Sequence, residues 1–212
     1  MAERLLRLYV DRLAARGDAV SLAPACRVVY VREGAATVRA AGQVATLAPN
    51  SAWHGAGECA VRPGATGATL LRWELAPVGA PVAHGLLLEA RGELDSPDGY
   101  LMRCDRVDFP PGGIAYTHTH QGPGIRCLLT GTLRVEVNGH AQDHGPGGAW
   151  FEAGPDPVLA LAAQDQPTSF ARCMILSAAL QGKSSIRYVR PEDADKPKTQ
   201  TYQVFVDERI DP

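Results

Sequence analysis

The chain has 212 residues, 45% of them hydrophobic and only 6% aromatic, which is enough apolar material for a sizeable core and argues against a disordered polymer. A net charge of -2, with no block of like charge, leaves no basic footprint for nucleic acid and no polybasic patch for a membrane surface. Nothing approaches the roughly 18 apolar residues of a spanning helix, and the opening MAERLLRLYVDRLAARGD mixes charges among its leucines where a signal peptide has an unbroken apolar core, so a cytoplasmic protein is expected.

In chain order, the spacing of Leu5, Leu6, Tyr9, Val10 and Leu13 fits a short amphipathic helix ending at Gly17 and equally a strand. Val38 to Gly42 and Val135 to Gly139 read as strands running into tight turns, and Asn138-Gly139 is the strongest hairpin signal in the chain. With 22 glycines and 16 prolines punctuating short apolar runs, the expected fold class is all-β, a sandwich or barrel. The segment ELDSPDG marks a linker over residues 79–98. From residue 181 a polar loop, PEDADKPKTQ, leads to an alternating strand at Tyr202–Val206, expected on a sheet edge of this subunit or of a partner. The five cysteines form no C-x-x-C pair, and Cys104, Cys127 and Cys173 are expected as small buried hydrophobes.

The chain repeats itself. Residues 34–61 align without a gap to residues 131–158 at an offset of 97. Gly34 matches Gly131, Val38 Val135, Gly42 Gly139, Pro49 Pro146, and Ala52-Trp53 matches Ala149-Trp150. Ala56-Gly57 and Val61 match Ala153-Gly154 and Val158. Further out, TLLRWELA (69–76) resembles SFARCMIL (169–176) after a three-residue insertion, and RLYVDRLAARGD resembles RCDRVDFPPGG, which favours a strand at the N-terminus.

At PPGGIAYTHTHQGPGIRCLLTG the chain resembles the cupin superfamily, whose first motif spaces a glycine, His-x-His, a glutamate and a second glycine as Gly112, His118, His120 and Gly131 are spaced here. Gly124 stands at the glutamate position, and Pro157 where the second motif has its histidine. The resemblance implies two tandem cupin (double-stranded β-helix, jelly-roll) barrels. A degenerate N-terminal cupin would span 1–78, a C-terminal cupin with His-x-His 99–180, and a tail or strand 181–212. It also implies a homodimer. By the offset of 97, Ser21 and Ala23 stand where His118 and His120 would be, so the first copy is expected to be structural.

His118 and His120, two apart on a strand, project from one face, expected to be the barrel interior. Two such imidazoles can hold a divalent metal (Fe, Ni, Zn or Mn) if a carboxylate completes the site, and Glu152 is the nearest substitute; the other reading is a neutral pair hydrogen-bonded in a polar pocket. Arg126, two residues after Gly124, keeps to the same inward face. A buried arginine requires an anion, either Glu152 or Asp156 or the carboxylate or phosphate of a ligand. Trp150 and Glu152 are the other candidate ligand-binding residues. His144 faces inward on one reading, and His140 is expected in solvent. The expected function is binding of a small organic anion in the C-terminal barrel; the alternative is a metal-dependent dioxygenase- or isomerase-like enzyme using His118 and His120.

Overall fold

The computed structural model describes residues 4–92 and 96–211, so Glu93, Leu94 and Asp95 of the expected linker lie outside the described residues. Apart from one 3-10 turn and a four-residue helix, all described elements are β. The chain divides into two compact units with the boundary at residues 94/95.

Unit 1 holds β1 (Arg4–Leu13), β2 (Val20–Leu22), β3 (Cys26–Ala40), β4 (Gln43–Leu47), β5 (Ala52–Gly55), β6 (Cys59–Pro77) and β7 (Leu86–Gly92). The N-terminal segment is a strand: Leu5, Leu6, Leu8 and Tyr9 are buried and pair along β6. The antiparallel order is β4-β3-β6-β1-β7, with β2 on β6 and β5 on β3. The long strands β3 and β6 each serve two ladders, turning at register shifts around Glu33 and Gly34. Val29, Val31, Val38, Val61 and Leu70 close the core between them.

Unit 2 runs through β8 (Tyr100–Phe109), β9 (Ile114–His120), β10 (Gly124–Thr130), β11 (Leu133–Val137), β12 (His140–His144), β13 (Ala149–Glu152), β14 (Val158–Ala162) and β15 (Thr168–Ser177). It ends with β16 (Ile186–Tyr188), helix α1 (Pro191–Ala194) and β17 (Thr201–Ile210). Two five-stranded antiparallel sheets result, β13-β10-β15-β8-β17 and β12-β11-β14-β9-β16. Val107, Phe109, Leu128, Leu133, Val135, Trp150 and Phe170 pack a core with residues of both sheets.

One expectation about connections is corrected, and the terminal strand takes one of its two expected places. The span 79–98 is not simply a linker, because β7 within it pairs with β1 along Arg4–Tyr9. The terminal strand β17 forms a sheet edge of its own subunit, pairing with β8 from Thr201↔Asp108 to Ile210↔Tyr100. The same device secures both. On the first strand of unit 1, Arg7 donates to Glu89 Oε2 of β7 (2.6 Å) and to the carbonyls of Ala80 and Pro81. On the first strand of unit 2, Arg103 donates to Asp207 Oδ1 of β17 (2.7 Å) and to the carbonyls of Lys183 and Leu180. Each unit is therefore finished by the strand after its apparent end.

Candidate functional site

The pleat of β9 puts His118 and His120 on one face, both 5% exposed. His118 Nδ1 donates to the carbonyl of Tyr116 (2.7 Å), which leaves its Nε2 as an acceptor. His120 Nε2 lies 3.2 Å from that atom, so its proton belongs on Nε2 and its Nδ1 is a buried acceptor without a partner. The two rings meet edge to face with centroids 4.8 Å apart.

The carboxylate beside them is Glu152, whose Oε2 is 3.3 Å from His120 Nε2 and 2.6 Å from Arg126 Nη2. Its other oxygen accepts from Trp150 Nε1 at 2.8 Å. Arg126 Nη2 touches Glu152 closely, but out of hydrogen-bond alignment, and both atoms are buried. Arg126 Nη1 donates to the carbonyl of Gly124 (2.6 Å). The sequence expectation of an inward Arg126 paired by Glu152 therefore holds in the geometry, whereas Asp156 is exposed and takes no part. His144 stacks on Trp150 (4.5 Å, 25°), and His140 is exposed.

Sequence reasoning missed a second ion pair. Arg172 of β15 stands opposite Arg126 of β10 and opposite Asp105 of β8. It donates Nε to Asp105 Oδ1 (2.7 Å) and Nη2 to Asp105 Oδ2 (3.2 Å). The sequence signalled only the arginine, since Arg172 matches Arg72 in the repeat; in the structure Arg72 makes a forked pair of the same kind with Asp11 (2.6 and 3.0 Å). Two guanidinium groups and two carboxylates thus share one buried layer, and their charges cancel.

Electrostatics follow from this crowding. Burial, with only partial relief from Glu152, lowers Arg126 to about 10, still cationic at neutral pH. Burial lowers His118, and burial together with the nearby Arg126 and Arg172 holds His120 well below the ordinary histidine range. Both rings are neutral in the folded protein at pH 7. On acidification through about 6.5 the unfolded chain takes up protons that the folded one refuses, so these groups stabilise above that pH and lose the contribution below it. The thermal midpoint is accordingly expected to hold from about pH 8 to 7 and to fall from about pH 6.5 to 5. A His118→Gln/His120→Gln variant is expected to flatten that fall; an equal slope in both proteins would contradict it.

The interior void beside this cluster measures only about 20 Å³ and is lined by His118, His120, Arg126, Glu152, Arg172 and Tyr202 among others. Next to it lies an open cavity of about 580 Å³, lined by Arg103, Asp105, Arg172, Tyr188, Lys198 and Tyr202 among others. Arg172, Ile186 and Tyr202 line both. The outer cavity is walled partly by residues 182–186, Tyr188 and Lys198, from the stretch before β17 that has only a short counterpart before β7 of unit 1.

No family model and no curated protein matches the chain. Solved structures do. Oxalate decarboxylase of Bacillus subtilis superposes with a TM-score of 0.65 and 12% identity over 91% of this chain and 73% of that one. AerE from Microcystis aeruginosa gives 0.61 and 14% over 82% and 88%. Salicylate 1,2-dioxygenase from Pseudaminobacter salicylatoxidans gives 0.58 and 11% over 86% and 74%. The fold is that of the cupins.

The oxalate decarboxylase of Bacillus subtilis has Mn(II) centres. The residues of this cupin fold do not suit such an ion. Among the described residues no three His, Cys, Asp or Glu side chains converge on a point that could hold a metal. A proton on His120 Nε2 and the guanidinium on Glu152 Oε2 occupy the directions that two ligands would need. A divalent ion would also add uncompensated charge to a buried layer whose four side-chain charges already cancel.

Proposed function

We propose that the chain is a bicupin, two tandem barrels in which unit 1 is structural and unit 2 binds a small organic anion. The observation that carries this reading is an open cavity of about 580 Å³ whose lining holds Arg103, Arg172, Lys183 and Lys198 against only two carboxylates, Asp105 and Asp207. That volume suits a small molecule. The ligand body would rest against Tyr188, Tyr202 and Ile186, with its carboxylate directed at Arg172 and Lys198. The resources are concentrated in unit 2. Unit 1 has Val29 and Gly55 at the positions of Arg126 and Glu152, and Ser21 and Ala23 at those of the histidines.

Calorimetry with short mono- and dicarboxylates, each set against its neutral amide, tests the reading. Carboxylates are expected to bind and amides not. Arg172→Lys, which keeps the charge but loses the fork, is expected to weaken binding about tenfold. Equal binding of acids and amides, or an unaffected Arg172→Lys variant, would sink it.

A further inference from the structure

The His118–His120–Glu152 cluster has the donor types of a metal site and the separations of neighbouring ligands, 3.2 Å between the Nε2 atoms and 3.3 Å from His120 Nε2 to Glu152 Oε2. Bonds of about 2.0–2.2 Å to one ion set adjacent ligand atoms roughly that far apart. Yet the three do not converge. Glu152 Oε2 is held instead at 2.6 Å by Arg126, a residue that is 1% exposed.

We propose that Arg126 is the resident cation of this cluster, taking the electrostatic place of a divalent metal and keeping unit 2 free of one. Three observations converge on it. Arg126 and Glu152 are a matched pair: at the offset of 97 both are absent from unit 1, where Val29 and Gly55 stand. The frame around them is common to both units, since Arg126 lies between Trp150 and Arg172 just as Val29 lies between Trp53 and Arg72. Charge completes the case. Asp105 is engaged by Arg172, so Glu152 carries the one remaining negative charge of the layer, and Arg126 cancels it. Removing the guanidinium would free a carboxylate beside two imidazoles, which is a donor set zinc accepts. Arg126 thus decides whether this layer holds metal, a role independent of what occupies the outer cavity.

The test is metal content and affinity rather than turnover. Wild-type protein and Arg126→Met are dialysed against zinc and then against buffer, analysed for zinc, and titrated with cobalt while its visible absorption is followed. Wild type is expected to retain traces only. Arg126→Met is expected to retain near-stoichiometric zinc, about tenfold or more tighter than wild type, and to lose it when His118→Ala and His120→Ala are added. If Arg126→Met fails to fold alone, it is refolded with and without zinc. Zinc-dependent recovery supports the proposal. Stoichiometric zinc in wild type through His118 and His120, a folded Arg126→Met that takes none, or a variant that zinc fails to rescue overturns it.

Discussion

Asp105→Ala is expected to destabilise the protein by about 3–5 kcal/mol, because it leaves the nearly buried guanidinium of Arg172 without its carboxylate. The side chains of Arg172 and Asp105 are only 6% and 3% exposed, and both hydrogen bonds between them would be lost together. Arg126 across the strand would make the loss worse, since two cations would then face each other with a single carboxylate between them. Urea denaturation measures the effect. The double variant Asp105→Leu/Arg172→Met removes both charges and is expected to recover most of the stability, because a buried pair is worth little against apolar side chains of similar volume. A loss below about 1 kcal/mol for Asp105→Ala would mean that solvent reaches Arg172 through the outer cavity and screens it.

Gly131→Ala is expected to cost on the order of 3 kcal/mol or more, and its repeat partner Gly34→Ala a similar amount. Gly131 has φ +75, and a Cβ there would lie 2.6 Å from the Pro167 carbonyl oxygen and 2.8 Å from Thr168 Cα. Gly34 has the same φ of +75, and its Cβ would collide with the backbone of Gly67 and lie 3.1 Å from Ala68 Cα. At Gly34 the long strand β3 bends against β6, and at Gly131 the β10–β11 connection runs against the start of β15, so a methyl group would force the two backbones apart. Gly42→Ala and Gly139→Ala are the controls. They share the left-handed backbone, but no atom lies within 4 Å of the added carbon, so only about 1 kcal/mol of backbone strain is expected. Equal losses at all four positions, read from denaturation midpoints, would show that the close backbone approach adds nothing.

Local pattern carried the β class, the duplication and the inward histidine pair. Those depend on neighbouring residues: glycines needed at positive φ recur at the offset of 97, and a spacing of two on a strand puts His118 and His120 on one face whatever surrounds them. The pairing of Arg126 with Glu152 was legible for a related reason, as a buried cation demands an anion and only a few carboxylates were near in the motif. Asp105 and Arg172 were not singled out because their partnership joins residues 67 apart on strands whose adjacency no local pattern reveals. The fate of β7 and β17 was hidden for the same reason: Glu89 and Asp207 are ordinary strand carboxylates until the fold brings Arg7 and Arg103 against them.

By itself, then, the sequence determined that the chain is built of strands, that His118 and His120 share one face, and that residues 34–61 recur at 131–158, because alternation and turn geometry are local. Only the tertiary structure decided that the inward charges sum to zero, that a guanidinium holds the carboxylate a metal would need, and that an open cavity lies against Arg172. Charge balance and cavity shape arise where separate strands meet, and they are properties of the layer rather than of any one segment.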